Sequence, residues 1–245
     1  MLDARVRTAH ADAWAAEGVL REPYGGAVAT LRGIRVMASG LAHRQWNGAD
    51  VTGPYSDLEG ARAFYAERGV EWGARVPAGL PFKAGTHLFT IPLMGLLAGG
   101  LQPAPAVEGL EIRQAGPDDL ETVLYVDTTA FGSDRDLYRP WTEPHLSAER
   151  ITVAVASLDD DAVGTAYCLR SDGPAGPAAY VAGVGVLPTA RRRGVAAAMS
   201  AWLVSQAFAA GARLAHLQAD SDEAARVYAR LGFSPAGALD VYVDL

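Results

Sequence analysis

A strand-like run that stops at a proline and restarts as a helix of small residues, AYVAGVGVLPTARRRGVAAAM over 179–199, constrains this chain more than any other stretch. The first N–H groups of a helix lack internal partners and carry partial positive charge, so a helix start attracts anions. Gly194 bares the backbone at that start, and Ala196 keeps the next approach clear. Arg191, Arg192 and Arg193 add cations where the helix dipole disfavours them. A bound phosphate removes that conflict, which favours a phosphate-bearing ligand over a solvated basic turn. The stretch is not a P-loop, because no G-K-[ST] follows, and not G-x-G-x-x-G, because GVGV lies inside a strand and lacks the third glycine. It is not part of a wider basic footprint either. A net charge of -7 and a pI near 5.2 argue against nucleic-acid binding and against an anionic membrane surface.

Around this stretch the second half reads as a mixed α/β unit of mostly antiparallel strands. LEIRQ from Leu110 alternates like a short strand, and Pro117 opens a helix. DRDLYRPWTEPHLSAER reads as loops and short helices at a rim. ITVAVASL and TAYCLR form a hairpin, SDGPAGPA a further loop, and AYVAGVGV a third strand. A helix from about Gly194 to Ala210, the strand RLAHLQA, a helix capped by Ser221, and the strand ALDVYVDL complete it. Cys168, the one cysteine, reads as a small buried side chain.

Glycine and proline in AGGLQPAPAVEG, 98–109, mark a connector, which divides the chain into 1–107 and 108–245. The first part holds a helical ARVRTAHADAWAAEGV, strand-like runs over GAVATLRGIRVMASGLAHRQW, and a helix capped at Ser56 or Asp57. Ala61, Tyr65 and Gly69 repeat the spacing of Ala224, Tyr228 and Gly232. The expectation is that 1–107 is a shortened, diverged copy of the second unit, with an unrelated packing domain as the alternative. The apolar run LFTIPLMGLLAGGL, 88–101, falls short of the ~20 residues of a membrane span and reads as buried structure. With no signal-like N-terminus, the expected location is the cytoplasm.

Residues 108–245 resemble the GNAT superfamily of N-acetyltransferases. The resemblance rests on VGVLPTARRRGVAAAM and SDEAARVYARLGF, in that order. Arg191, Gly194 and Ala196 match the family's (Q/R)-x-x-G-x-(G/A) acyl-CoA loop, and Tyr228, Gly232 and Phe233 match its second motif. The resemblance implies an N-acyltransferase using acetyl-CoA and no metal. The CoA pyrophosphate would lie on the backbone N–H groups of Arg192, Arg193, Gly194, Val195, Ala196 and Ala197. Pantetheine would bond the backbone of Val184 and Val186, where two strands splay, and an N–H near Val186 or Leu187 would polarise the thioester carbonyl. Ser221 stands where the family often has a cofactor-contacting Asn. Tyr228 would give the leaving thiolate its proton.

The strand AAYVAGVGV lacks the acid that many members use to drain the acceptor's proton, so Asp127, Asp134, Glu143 and His145 on the rim are the alternatives, with ordered water alone as another. Phe131, Tyr138 and Trp141 form an expected acceptor wall, to which Trp46 and Trp72 could add. His216 reads as a packed or edge histidine. The expected partner is a small-molecule or peptide amine, the chain acting as monomer or homodimer. The rival reading is a non-catalytic acyl-CoA-binding sensor or assembly module.

Overall fold

The computed structural model describes residues 2–245. Eleven strands form one mixed, mostly antiparallel sheet. They are β1 (Ala27–Leu31), β2 (Ile34–Ala38), β3 (Gly48–Val51), β4 (Gly73–Pro77), β5 (Thr86–Leu97), β6 (Leu110–Gln114), β7 (Ile151–Leu158), β8 (Asp161–Gly173), β9 (Gly176–Val186), β10 (Leu214–Gln218) and β11 (Ser234–Val243). Six α-helices flank it: α1 (Leu2–Leu20), α2 (Leu58–Arg68), α3 (Leu120–Phe131), α4 (Arg135–Thr142), α5 (Val195–Ala209) and α6 (Asp222–Arg230). The spatial order is β1-β2-β3-β4-β11-β5-β10-β9-β8-β7-β6.

Local chemistry accounts for the helix limits. Asp57 accepts from Gly60 N at 2.9 Å and starts α2, which Gly69 ends in the left-handed region. Ser221 Oγ accepts from Ala224 N at 3.1 Å and starts α6. SDGPAGPA, read as a loop, is the turn of a hairpin: β8 runs to Gly173 and β9 begins at Gly176, which pair across it. The apolar run at 88–101 supplies most of the long strand β5 and the turn after it, and only part of it is buried. Leu93, Met94 and Leu96 are buried, but Leu88, Phe89 and Leu97 are exposed.

The sheet crosses the irregular connector at 98–109. β5 lies between β10 and β11, and β11 pairs antiparallel with β4. The halves therefore exchange strands, the last strand of each beside the other's. β3–α2–β4 is a parallel pair joined through a helix, as is β9–α5–β10. The shared tyrosine spacing aligns α2 with α6, whereas the topology aligns α2 with α5. α1 packs beneath the second half: Val6 and Ala9 meet Leu93, Leu214 and Leu239, and Ala13 meets Val153, Leu169 and Tyr180. The opposite face is covered by α5 and α6, through Met199, Leu203, Val204 and Leu231. No helix among the described residues is long and apolar enough to cross a membrane.

Candidate active site

β9 and β10 pair in parallel only as far as Val181 and Leu217. Beyond that point Gln218 pairs with Leu93 of β5, and Ala182 to Val186 have no partner on the β10 side. On the β8 side the register slips between Thr165–Gly185 and Tyr167–Ala182. This bulge is centred on Gly183, whose φ of 60° favours glycine and whose face abuts Tyr167 at 3.0 Å from a would-be Cβ. One edge of Val184 and Val186 therefore has no strand partner, and apart from Val186 O, which accepts from Arg191 Nε, it can offer backbone donors and acceptors to a ligand.

The strand leads into the arginine loop. A 3-10 turn at Pro188–Ala190 precedes Arg192, at φ 62°, and Gly194, at φ 94°, which caps α5 without a side-chain bond. Val107 lies 3.1 Å from where a Gly194 Cβ would stand. Val195 and Ala197 turn into the core, so this helix start offers backbone rather than side chains. Arg192 and Arg193 are exposed beside it. Arg191 differs from its neighbours: its Nε donates to Val186 O at 3.1 Å and its Nη2 to Ala130 O at 2.9 Å. It ties the end of α3 to β9 with both groups.

A cavity of about 650 Å³ opens between the splayed strands and the first half. Val184 and Tyr228 stand at one part of its wall, with Asp127, Tyr138 and Trp141 from α3 and α4, and Trp46 and Arg75 from the first half. Burial, with Asp220 nearby, pushes the Tyr228 phenol up to about 12. Burial also pushes Asp127 up to about 6, against the pull of His145, and raises Asp220. Neither carboxylate makes an ion pair among the described residues.

The four rim acids and bases separate. Asp127 and His145 reach the cavity. Asp134 is spent capping α4, accepting from Leu137 N at 2.9 Å, and Glu143 is exposed. His145 Nε2 lies 2.9 Å from Glu17 Oε1, a buried pairing with α1. Phe131, Tyr138, Trp141 and Trp46 line the cavity, but Trp72 does not; it stacks on Tyr65 at 4.5 Å in the core of the first half. His216 is fully buried and stacked on Tyr180, and burial takes it down to about 3, so it is neutral. Burial pushes Cys168 up to about 12, an inert thiol. The described residues contain no group of ligands suited to a metal ion.

Residues that sequence reasoning missed come from distant elements. Asp220 lies just past β10, Tyr180 on β9, Gln218 on β10, and Arg75 on β4. None carries a local motif; only a reading of Asp220 as the residue that follows a strand and precedes a helix cap could have raised it.

The whole chain is similar in fold to solved structures. A GCN5-related N-acetyltransferase from Kribbella flavida shares 22% identity over 99% of this chain and 95% of that one, with a TM-score of 0.72. A functionally unknown conserved protein from Staphylococcus epidermidis shares 16% over 90% of this chain and 95% of its own, at 0.65. A GCN5-related N-acetyltransferase from Sphaerobacter thermophilus shares 17% over 96% and 92%, at 0.56. In sequence, residues 119–233, from the start of α3 to Phe233, match the model of the Acetyltransferase (GNAT) family, so this part of the chain belongs to that family, while the chain as a whole shares the fold of these structures.

Proposed function

We propose that the chain transfers an acetyl group from acetyl-CoA to an amine held in the cavity. The observation that carries this is the parting of β9 and β10 after Val181, with the bare start of α5 at one end and Tyr228 on the cavity wall. In this reading the pyrophosphate lies on the N–H groups of residues 192–197, where helix partial charge and two exposed arginines favour it. The unpaired edge at Val184 and Val186 bonds the pantetheine amides. Ser221 is occupied by its cap and adds at most one further donor. Arg191 acts by holding the loop against α3 rather than by touching the cofactor.

The amine nitrogen attacks the thioester carbon, the carbon–sulfur bond breaks, and the amine's proton passes to Asp127. An Asp whose carboxyl titrates near 6 is ionised at neutral pH and basic enough to take that proton. Tyr228 keeps its proton throughout the working range and donates to the departing sulfur. A phenol near 12 lies above the roughly 8.5 of a thiol, so Tyr228 stabilises the sulfur by a hydrogen bond as charge builds on it, and CoA leaves as the thiolate and takes its proton from solvent.

Calorimetry with acetyl-CoA and an acetyl-transfer screen over amines test the reading, with Tyr228→Phe and Asp127→Asn beside the parent. Binding with turnover that falls in both variants supports it. Binding without any turnover favours the non-catalytic sensor, and no binding removes both.

A further inference from the structure

The first half supplies the cavity with a guanidinium that has donors to spare. Arg75 projects from β4, is 6% exposed, and lines the cavity. Its Cζ lies 4.0 Å from the centroid of the Trp14 ring. It also lies against Gly48, where a Cβ would come within 2.5 Å of Nη2 and 2.7 Å of Cζ. Nη2 donates to Asp50 Oδ2 at 2.8 Å, and His10 Nδ1 lies 3.1 Å from Asp50 Oδ1. Trp14 Nε1 donates to His10 Nε2 at 3.2 Å, which assigns that nitrogen as acceptor and places the proton on Nδ1. Burial pushes Asp50 up, but the Arg75 charge and the bonds from His10 and Arg75 outweigh it and keep the carboxyl ionised.

The guanidinium is thus clamped by a ring, a bare backbone and a carboxylate that is itself oriented by α1. Among the described residues its bond to Asp50 is the only hydrogen bond it makes, and Nε is buried without a partner. A rigid planar fork with unused donors on a cavity wall is suited to a carboxylate. The two unpaired acids of the cavity, Asp127 and Asp220, are suited to the opposite charge. Arg75 and Asp127 stand on different elements of the cavity wall, β4 and α3, and a series of ring contacts leads from Trp14 beside Arg75 to Trp141 at 6.3 Å and on to His145 at 5.2 Å.

We propose that the acceptor is an amine bearing a carboxylate several bonds away, as in an ω-amino acid or a short peptide, and that Arg75 binds the carboxylate while the amine faces Tyr228 and Asp127. This rests on the acyl-transfer reading of the same cavity. It gives the first half a part in acceptor choice.

The test compares matched acceptors, ω-amino acids and dipeptides against their carboxamides, with the parent protein and Arg75→Gln. The parent is expected to favour the carboxylate in at least one pair by about 10-fold or more in kcat/KM, as befits a buried charge-assisted pair. Arg75→Gln is expected to bring that ratio to about 1 by lowering kcat/KM for the carboxylate far more than for the carboxamide, whereas loss of a merely structural arginine would lower both alike. Equal use of acid and amide by the parent overturns the proposal, with no variant needed. So does a preference that survives in Arg75→Gln, or turnover confined to amines without a carboxylate. Failure of the acyl-transfer reading shows separately, as absence of acetyl-CoA binding in calorimetry or as binding without turnover of any amine.

Discussion

The rings of Trp46 and Trp141 lie face to face, with centroids 5.0 Å apart and planes 5° from parallel, although one belongs to the first half of the chain and the other to α4 of the second. The Arg21 guanidinium sits over Trp141 at 5.0 Å, and Tyr138 meets Trp46 edge-on at 5.1 Å. The pair closes one wall of the cavity and joins the halves there. Trp46→Ala is expected to weaken acceptor binding while sparing acetyl-CoA, and to cost about 3–5 kcal/mol, because the ring is buried between the halves. Steady-state kinetics, calorimetry and urea unfolding read the three quantities.

Gly194→Ala places a methyl group at φ 94° and 3.1 Å from Val107. Left-handed backbone costs a non-glycine residue roughly 1 kcal/mol, so the loop shifts. Acetyl-CoA affinity should fall by about 10-fold or more with only a small drop in Tm, measured by calorimetry and thermal unfolding.

The rate should rise with pH through about 6, as Asp127 loses its proton. Asp127→Asn should remove this limb from the kcat profile and lower kcat by about 100-fold, within the range of positioned base catalysis. A parent profile flat between pH 5 and 7 would remove Asp127 from the mechanism.

The same carboxyl makes an opposite prediction for stability. Its folded value, about 6, stands above its ordinary value, so the unfolded chain gives up this proton first. Stability therefore falls as pH rises from about 4 to about 6. Asp127→Asn should match the parent near pH 4 and exceed it near pH 7, by on the order of 3 kcal/mol. Urea titrations at both pH values check it.

Asp50→Ala leaves Arg75 buried without its counter-charge and His10 without its acceptor. Loss of one partner from a buried pair costs roughly 3–5 kcal/mol. Equilibrium unfolding should show that loss, and Asp50→Asn a smaller one.

The elements nearest the arginine loop were legible because each carries its own local signal. Pro188 ends a strand, Gly194 opens α5, and Ser221 caps α6, all within a few residues of the structure they set. The hairpin at 173–176 was not, because two prolines and two glycines look like a loop whether or not the strands beside them pair. Asp127 and Asp134 looked alike in sequence, yet one enters the cavity and the other caps α4. The direction of α3 decides that.

From the sequence alone came the second half's order of strands and helices, its family likeness and the bare helix start at Gly194, since these depend on contacts between chain neighbours. The tertiary structure alone decided that β5 and β11 trade sides. It also showed that Arg191 is engaged by carbonyls of β9 and α3, and it brought Arg75, Trp46 and Asp127 to one cavity. Those relationships join residues tens to more than a hundred positions apart. They are set by how whole faces of α1, α3 and the sheet pack, which no local pattern of residue types records.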